Sequence, residues 1–136
     1  MSNLENKSEI FSNAAKLLHE KNYYSAVAHG AYYSCYQLFK HIWLHTMGKT
    51  ENELENEVKK SKEKSHGYLI NKTVSFIANS GRKDCQNHAR DIGNKIPQLK
   101  KLRVDADYTD DVFDSLKSSK SINLSNDIIP FFKKYC

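Results

Sequence analysis

The sequence predicts an all-α fold, an antiparallel up-and-down bundle of four to five helices, and three observations predict it. Apolar residues recur at three- and four-residue spacing through most of the chain. No strand-length alternation and no repeat with a period of about 20–50 residues occurs. The periodic segments are joined by polar connections with no βαβ pattern, which leaves helix-on-helix packing as the way to bury their apolar faces. At 136 residues the chain fits one domain, residues 1–136, able to bury roughly two thirds of its unfolded surface.

A first helix is predicted over residues 8–20, where Ile10, Phe11, Ala14, Leu17 and Leu18 recur behind a Ser8 that can cap an N-terminus. Lys21 and Asn22 make a turn into a second helix over residues 23–47. There Ala28, Ala31, Tyr32, Cys35, Leu38, Phe39, Ile42 and Trp43 fall within an arc of about 140°, the width of a core-facing stripe. Gly48 is placed to stop it. Residues 49–65 are Lys-, Glu-, Asn- and Ser-rich and predict a solvated loop or a short exposed helix carrying the Leu54 and Val58 pair. A third long helix follows over residues 67–79. A fourth over residues 83–107 is expected to kink at Pro97, whose ring meets the carbonyl of Gly93. Residues 108–122 predict a long loop, and residues 124–135 a last helix kept short or bent by Pro130.

The formal charge of +5 and the isoelectric point near 9.0 favour a polyanionic partner. Among five glycines there is no dinucleotide fingerprint and no phosphate loop of the Walker type. No stretch reads as a secretory leader or a bilayer span, since His29, Gln37, Lys40, His41 and His45 interrupt the most apolar segment. A cytoplasmic protein is expected. The three cysteines, Cys35, Cys85 and Cys136, form no C-x-x-C pair, and reduced thiols are expected.

His41 and His45 stand at i, i+4, a spacing at which two imidazoles can share a metal. The sequence offers no third ligand and both lie off the apolar arc, so surface histidines are predicted, with no metal and no cofactor. Gly30, inside a helix, predicts a close backbone approach. The tyrosines at 23, 24, 32, 33 and 36 read as core packing and subunit contact ahead of base stacking.

Arg103 is the residue that most needs a reason, because it falls between Ile96 and Leu99 in the angular order of the fourth helix's buried stripe. A guanidinium keeps its charge, so an apolar stripe accommodates it only with a partner. One account is a pair with Asp107 at i+4 or with another aspartate of the 105–114 cluster. The other is an anion site in a groove between helices or across a dimer, with Arg103 on phosphate and a neighbouring group handling protons.

Three runs carry a family resemblance: AVAHGAYYSCYQLFKHIW at 26–43, HGYLI at 66–70, and L-x-x-L-R-x-x-A-D-Y at 99–108. In this order and over most of the chain they resemble a HEPN domain. The resemblance implies a bundle that dimerises so that motifs from two subunits line one cleft. In active members that cleft is a metal-independent ribonuclease site with an R-x4-6-H motif, often in toxin–antitoxin or phage-defence systems beside a nucleotidyltransferase partner. Other members bind RNA or nucleotide, or act as structural dimers or adaptors. Arg103 matches the motif arginine, but Tyr108 stands where histidine is expected. A phenol titrates near 10 and is a poor general base. The expectation is therefore a homodimer binding RNA or nucleotide through Arg103, Lys100, Lys101, Asp107 and Tyr108, with weak or no nuclease activity. Arg82 and His88 form a second R-x5-H match, with His88 as the alternative acid/base.

Overall fold

The computed structural model describes all 136 residues, every element of which is helical: α1 Asn3–Glu20, α2 Tyr24–His41 running into a π-helical turn Ile42–Thr46, α3 Glu51–Ser61, α4 Ser65–Ala78, α5 Cys85–Tyr108 and α6 Ser115–Lys133. The all-α expectation holds. α2 is the central element, packing against α1, α4, α5 and α6. Its predicted stripe is the core: Ala28, Ala31, Tyr32, Cys35, Leu38, Phe39, Ile42 and Trp43 are all buried. One apolar cluster joins them to Leu69 and Ile77 of α4, Ile92, Ile96 and Leu99 of α5, and Ile128 and Phe132 of α6.

Local chemistry explains where the helices begin and meet. α1 starts earlier than predicted because Ser2 and Glu5 form a reciprocal capping box: Glu5 N–H donates to Ser2 Oγ (3.1 Å) and Ser2 N–H to Glu5 Oε1 (3.1 Å). Ser8, expected as the cap, is buried instead and donates to the Ser34 carbonyl of α2 at 2.7 Å. Beside that bond lies Gly30, where a Cβ would sit 3.1 Å from the Phe11 carbonyl oxygen and 3.2 Å from Ala15 Cβ. The close approach predicted there is real. Gly48 ends the second helical stretch at φ +69°, a conformation other residues adopt at a cost.

Two connections differ from expectation. Residues 49–65 contain α3, the short-helix alternative, capped by Thr50 and anchored by buried Leu54. The long loop expected over 108–122 is largely helix: only residues 109–114 are non-helical, and α6 begins at Ser115 behind Asp114, which accepts from Lys117 N–H at 3.0 Å. Two serines that read as loop, Ser118 and Ser121, are buried in the core, as is Ser125 of the predicted last helix. Ser121 and Ser125 donate to the carbonyls of Lys117 (2.9 Å) and Ile122 (3.0 Å), and Ser118 bonds His19 of α1 at 2.7 Å. Such back-bonding lets a small polar side chain sit inside a helix interface. α5 and α6 also continue through Pro97 and Pro130, so α6 is neither short nor confined to 124–135. No helix is long and apolar enough to cross a membrane.

Candidate anion-binding site

His29, Tyr33 and Tyr36 follow one another at helical spacing on the side of α2 that its neighbours leave partly open, with buried Tyr32 beside them. α4 brings His66 to this face from its first turn, and α5 brings Arg103 with Lys100 one turn before it. The His66 ring stacks on Tyr36 (centroids 4.2 Å apart), and its Nδ1 is hydrogen-bonded to the Tyr32 hydroxyl at 3.1 Å. The Arg103 guanidinium carbon lies 4.9 Å from the Tyr32 ring centroid and 5.6 Å from that of Tyr33.

Arg103 is only 13% exposed, and its Nε is buried without a hydrogen-bond partner. Asp107 Oδ2 stands 3.9 Å from its Nη1 and 3.8 Å from His29 Nδ1. Both distances exceed a hydrogen bond, so Asp107 balances charge without occupying the donors. Two ring faces contribute about 0.5–2 kcal/mol each. Taking a charged group out of water costs several kcal/mol. The guanidinium is thus held in place with its hydrogen-bonding capacity partly unused.

Protonation states around it are set by burial. Burial, and then the positive charges of Lys100, Arg103 and Lys40, hold His66 below the usual imidazole range, so it is neutral at pH 7. Burial pushes the Tyr32 phenol well up, the Arg103 charge offsetting part of this, and burial with the neighbouring Tyr33 and Glu51 raises Tyr36. The face therefore offers a cationic fork, a neutral imidazole that can accept a proton, and phenols that keep theirs.

Of the residues predicted from sequence, Arg103, Lys100 and Asp107 lie together here. Lys101 is exposed and turned to Asp105 at 3.1 Å, and Tyr108 is 75% exposed on the last turn of α5. His66 was not predicted. It lies far from Arg103 in sequence and no spacing links them; the HGYLI run that carries the family resemblance begins with it.

His88 lies elsewhere, 8% exposed, stacked on Phe131 (4.8 Å) and hydrogen-bonded through Nδ1 to the Tyr135 hydroxyl at 2.7 Å. Arg82 covers the Tyr135 ring at 5.5 Å and donates to the Lys134 carbonyl. The second R-x5-H pair thus converges on one tyrosine and fastens the end of α6.

The surface position expected for His41 is overturned: it is 6% exposed, because Ser2 at the head of α1 covers it and hydrogen-bonds its Nδ1 at 2.7 Å. His45 is exposed as expected. Folding brings Glu5 and Cys136 to His41, with donor atoms of these three residues within 4.8 Å of one another. All three cysteines are unpaired thiols, and burial pushes the Cys35 thiol up to about 12. Comparison with models of protein families, with curated proteins and with solved structures finds no match.

Proposed function

We propose that the chain binds RNA, or a nucleotide-bearing partner, by seating a phosphate on Arg103, as a HEPN-like dimeric bundle does. One observation carries this reading: a guanidinium held by two tyrosine faces, its side chain only 13% exposed, with a buried Nε that nothing in the chain satisfies. A phosphate on the outer guanidinium nitrogens, which no hydrogen bond in the chain occupies, gains from the fork geometry and offsets the burial of that charge. Lys100 adds charge, and the half-buried rings of Tyr33 and Tyr36 offer faces on which a base can stack. A second copy of the chain fits the α1 side of the face, where Ile10 and Leu17 are 64% and 55% exposed at i, i+7 and Phe11 adjoins Tyr33.

A second reading, a metal-independent endoribonuclease controlled by a nucleotidyltransferase partner, is favoured by His66. Its neutral imidazole beside the arginine supplies the proton acceptor that Tyr108 does not.

Fluorescence anisotropy with labelled single-stranded RNA in EDTA tests both readings. Arg103→Ala should weaken binding roughly 10- to 150-fold, the equivalent of a charge-assisted hydrogen bond of about 1.5–3 kcal/mol. Unchanged affinity in a folded Arg103→Ala variant sinks the phosphate reading. Cleavage of the same RNA that persists in His66→Gln removes the nuclease role assigned to His66.

A further inference from the structure

The chain ends and the end of α2 meet in a second cluster, on residues separate from the Arg103 face. Glu5 projects from the first turn of α1, His41 closes α2, and Cys136 follows α6. Glu5 Oε1 stands 3.6 Å from His41 Nδ1, and donor atoms of Glu5, His41 and Cys136 fall within 4.8 Å of one another. We propose that Glu5, His41 and Cys136 form a binding site for a borderline-soft divalent transition metal of the Zn2+ class, with His45 as fourth ligand.

Geometry supports the assignment. Bond lengths of about 2.0–2.3 Å place the ligands of a tetrahedral zinc roughly 3.3–3.8 Å apart. From donors within 4.8 Å of one another the closure needed is about 1–1.5 Å, and a metal on His41 Nδ1 displaces the Ser2 Oγ hydrogen bond there. His45, outside the three-residue group, is offered as the fourth ligand by the π-helical turn Ile42–Thr46, which is closed by Met47 N–H donating to the Ile42 carbonyl at 2.8 Å. π turns are uncommon and recur at functional sites. This one carries His45, exposed, with its ring centroid 4.8 Å from that of His41. A cavity of about 610 Å³, lined by Glu5, His41, His45 and Cys136 among others, gives solvent access to the cluster. Lys133 also lines it but is exposed and can keep its ammonium in water.

The donor set selects the metal class. One carboxylate, imidazole and one thiolate suit Zn2+ or Co2+ and not Mg2+ or Ca2+, which take oxygen shells. Ligation releases the Cys136 proton to solvent as the metal–sulfur bond forms. The consequence is a clasp that ties the first turn of α1, the end of α2 and the last residue to one ion.

Co2+ titration of the reduced, metal-stripped full chain tests the site. The expected result is one equivalent bound with a thiolate-to-cobalt charge-transfer absorption and tetrahedral d–d bands. Cys136 is exposed, so Cys136→Ser is not expected to disturb folding, and it should abolish the charge-transfer absorption. Glu5→Gln retains the capping box. It should nevertheless weaken Zn2+ binding by more than the roughly 10- to 100-fold that losing an outer-shell partner costs. His45→Ala should keep the charge-transfer absorption and alter the d–d bands. A wild-type spectrum without charge transfer, or a Cys136→Ser variant that retains it, overturns the proposal.

Discussion

The molecule builds the same three-residue constellation twice, with different outcomes. In one, Arg103 covers Tyr32 and the Tyr32 hydroxyl bonds His66 Nδ1; in the other, Arg82 covers Tyr135 and the Tyr135 hydroxyl bonds His88 Nδ1. The Arg82 set is closed. Its guanidinium is exposed and donates to the Lys134 carbonyl, and its histidine is sandwiched against Phe131. The Arg103 set is open: the guanidinium is buried with Nε unpartnered, and the imidazole has three cations near it. Residue types and pairwise geometry alone do not separate a latch from a candidate binding site. Unspent hydrogen-bonding capacity does.

The largest effect that separates them is on binding. Arg103→Ala should lose most of the RNA affinity, as above, while Arg82→Ala should change it by no more than about threefold, the loss of one exposed phosphate contact at moderate salt. Equal losses in paired anisotropy titrations would erase the distinction between the two sets.

Stability should respond in the opposite order. Tyr135→Phe leaves a buried His88 nitrogen without a partner, which costs about 1–3 kcal/mol. Tyr32→Phe removes a bond to a half-buried His66 that water can partly replace, costing about 0.5–1.5 kcal/mol. Urea denaturation of both variants gives the comparison, and a larger loss for Tyr32→Phe would contradict it.

A pH series sharpens the contrast further. His66 has its folded value depressed, so as pH falls the unfolded chain takes up the proton first. Stability from keeping it neutral is fully present above the ordinary value of 6.5 and is lost as pH falls from there through the lowered folded value. Glu5 and Glu57, also held below their ordinary range, contribute a separate loss below 4.5, chiefly as the backbone hydrogen bond from Ser2 and the Lys49 hydrogen bond are forfeited. In metal-free buffer, melting curves of His66→Gln should show a shallower fall than wild type between neutral pH and 5. The smallest effect belongs to Lys101→Ala. Its exposed pair with Asp105 should contribute at most about 0.5 kcal/mol by thermal melting.

Much of this was legible beforehand in particular residues. The α2 stripe was readable because its buried positions are apolar at a constant helical period, and Gly30 because a helix interior tolerates glycine only for a reason. The first half of α6 was missed because its buried positions are Ser118 and Ser121, which look like loop residues until their hydroxyls are seen to bond His19 and the Lys117 carbonyl. The capping box of Ser2 and Glu5 was present in the sequence as S-x-x-E, but the apolar periodicity begins later and drew the start of the helix to Ser8.

The sequence by itself determined the helical class, the core stripe of α2 and the anomaly of Arg103, because each is written in local periodicity along one helix. Only the tertiary structure decided what faces that arginine. His66 lies on another helix, Tyr32 and Tyr33 are core and edge of the same turn, and Tyr108 points to solvent. The same holds for His41, whose neighbours Glu5 and Cys136 come from opposite ends of the chain. Periodicity specifies which side of a helix is buried. Which side chains meet across helices depends on how those faces dock, and no spacing along the chain encodes that.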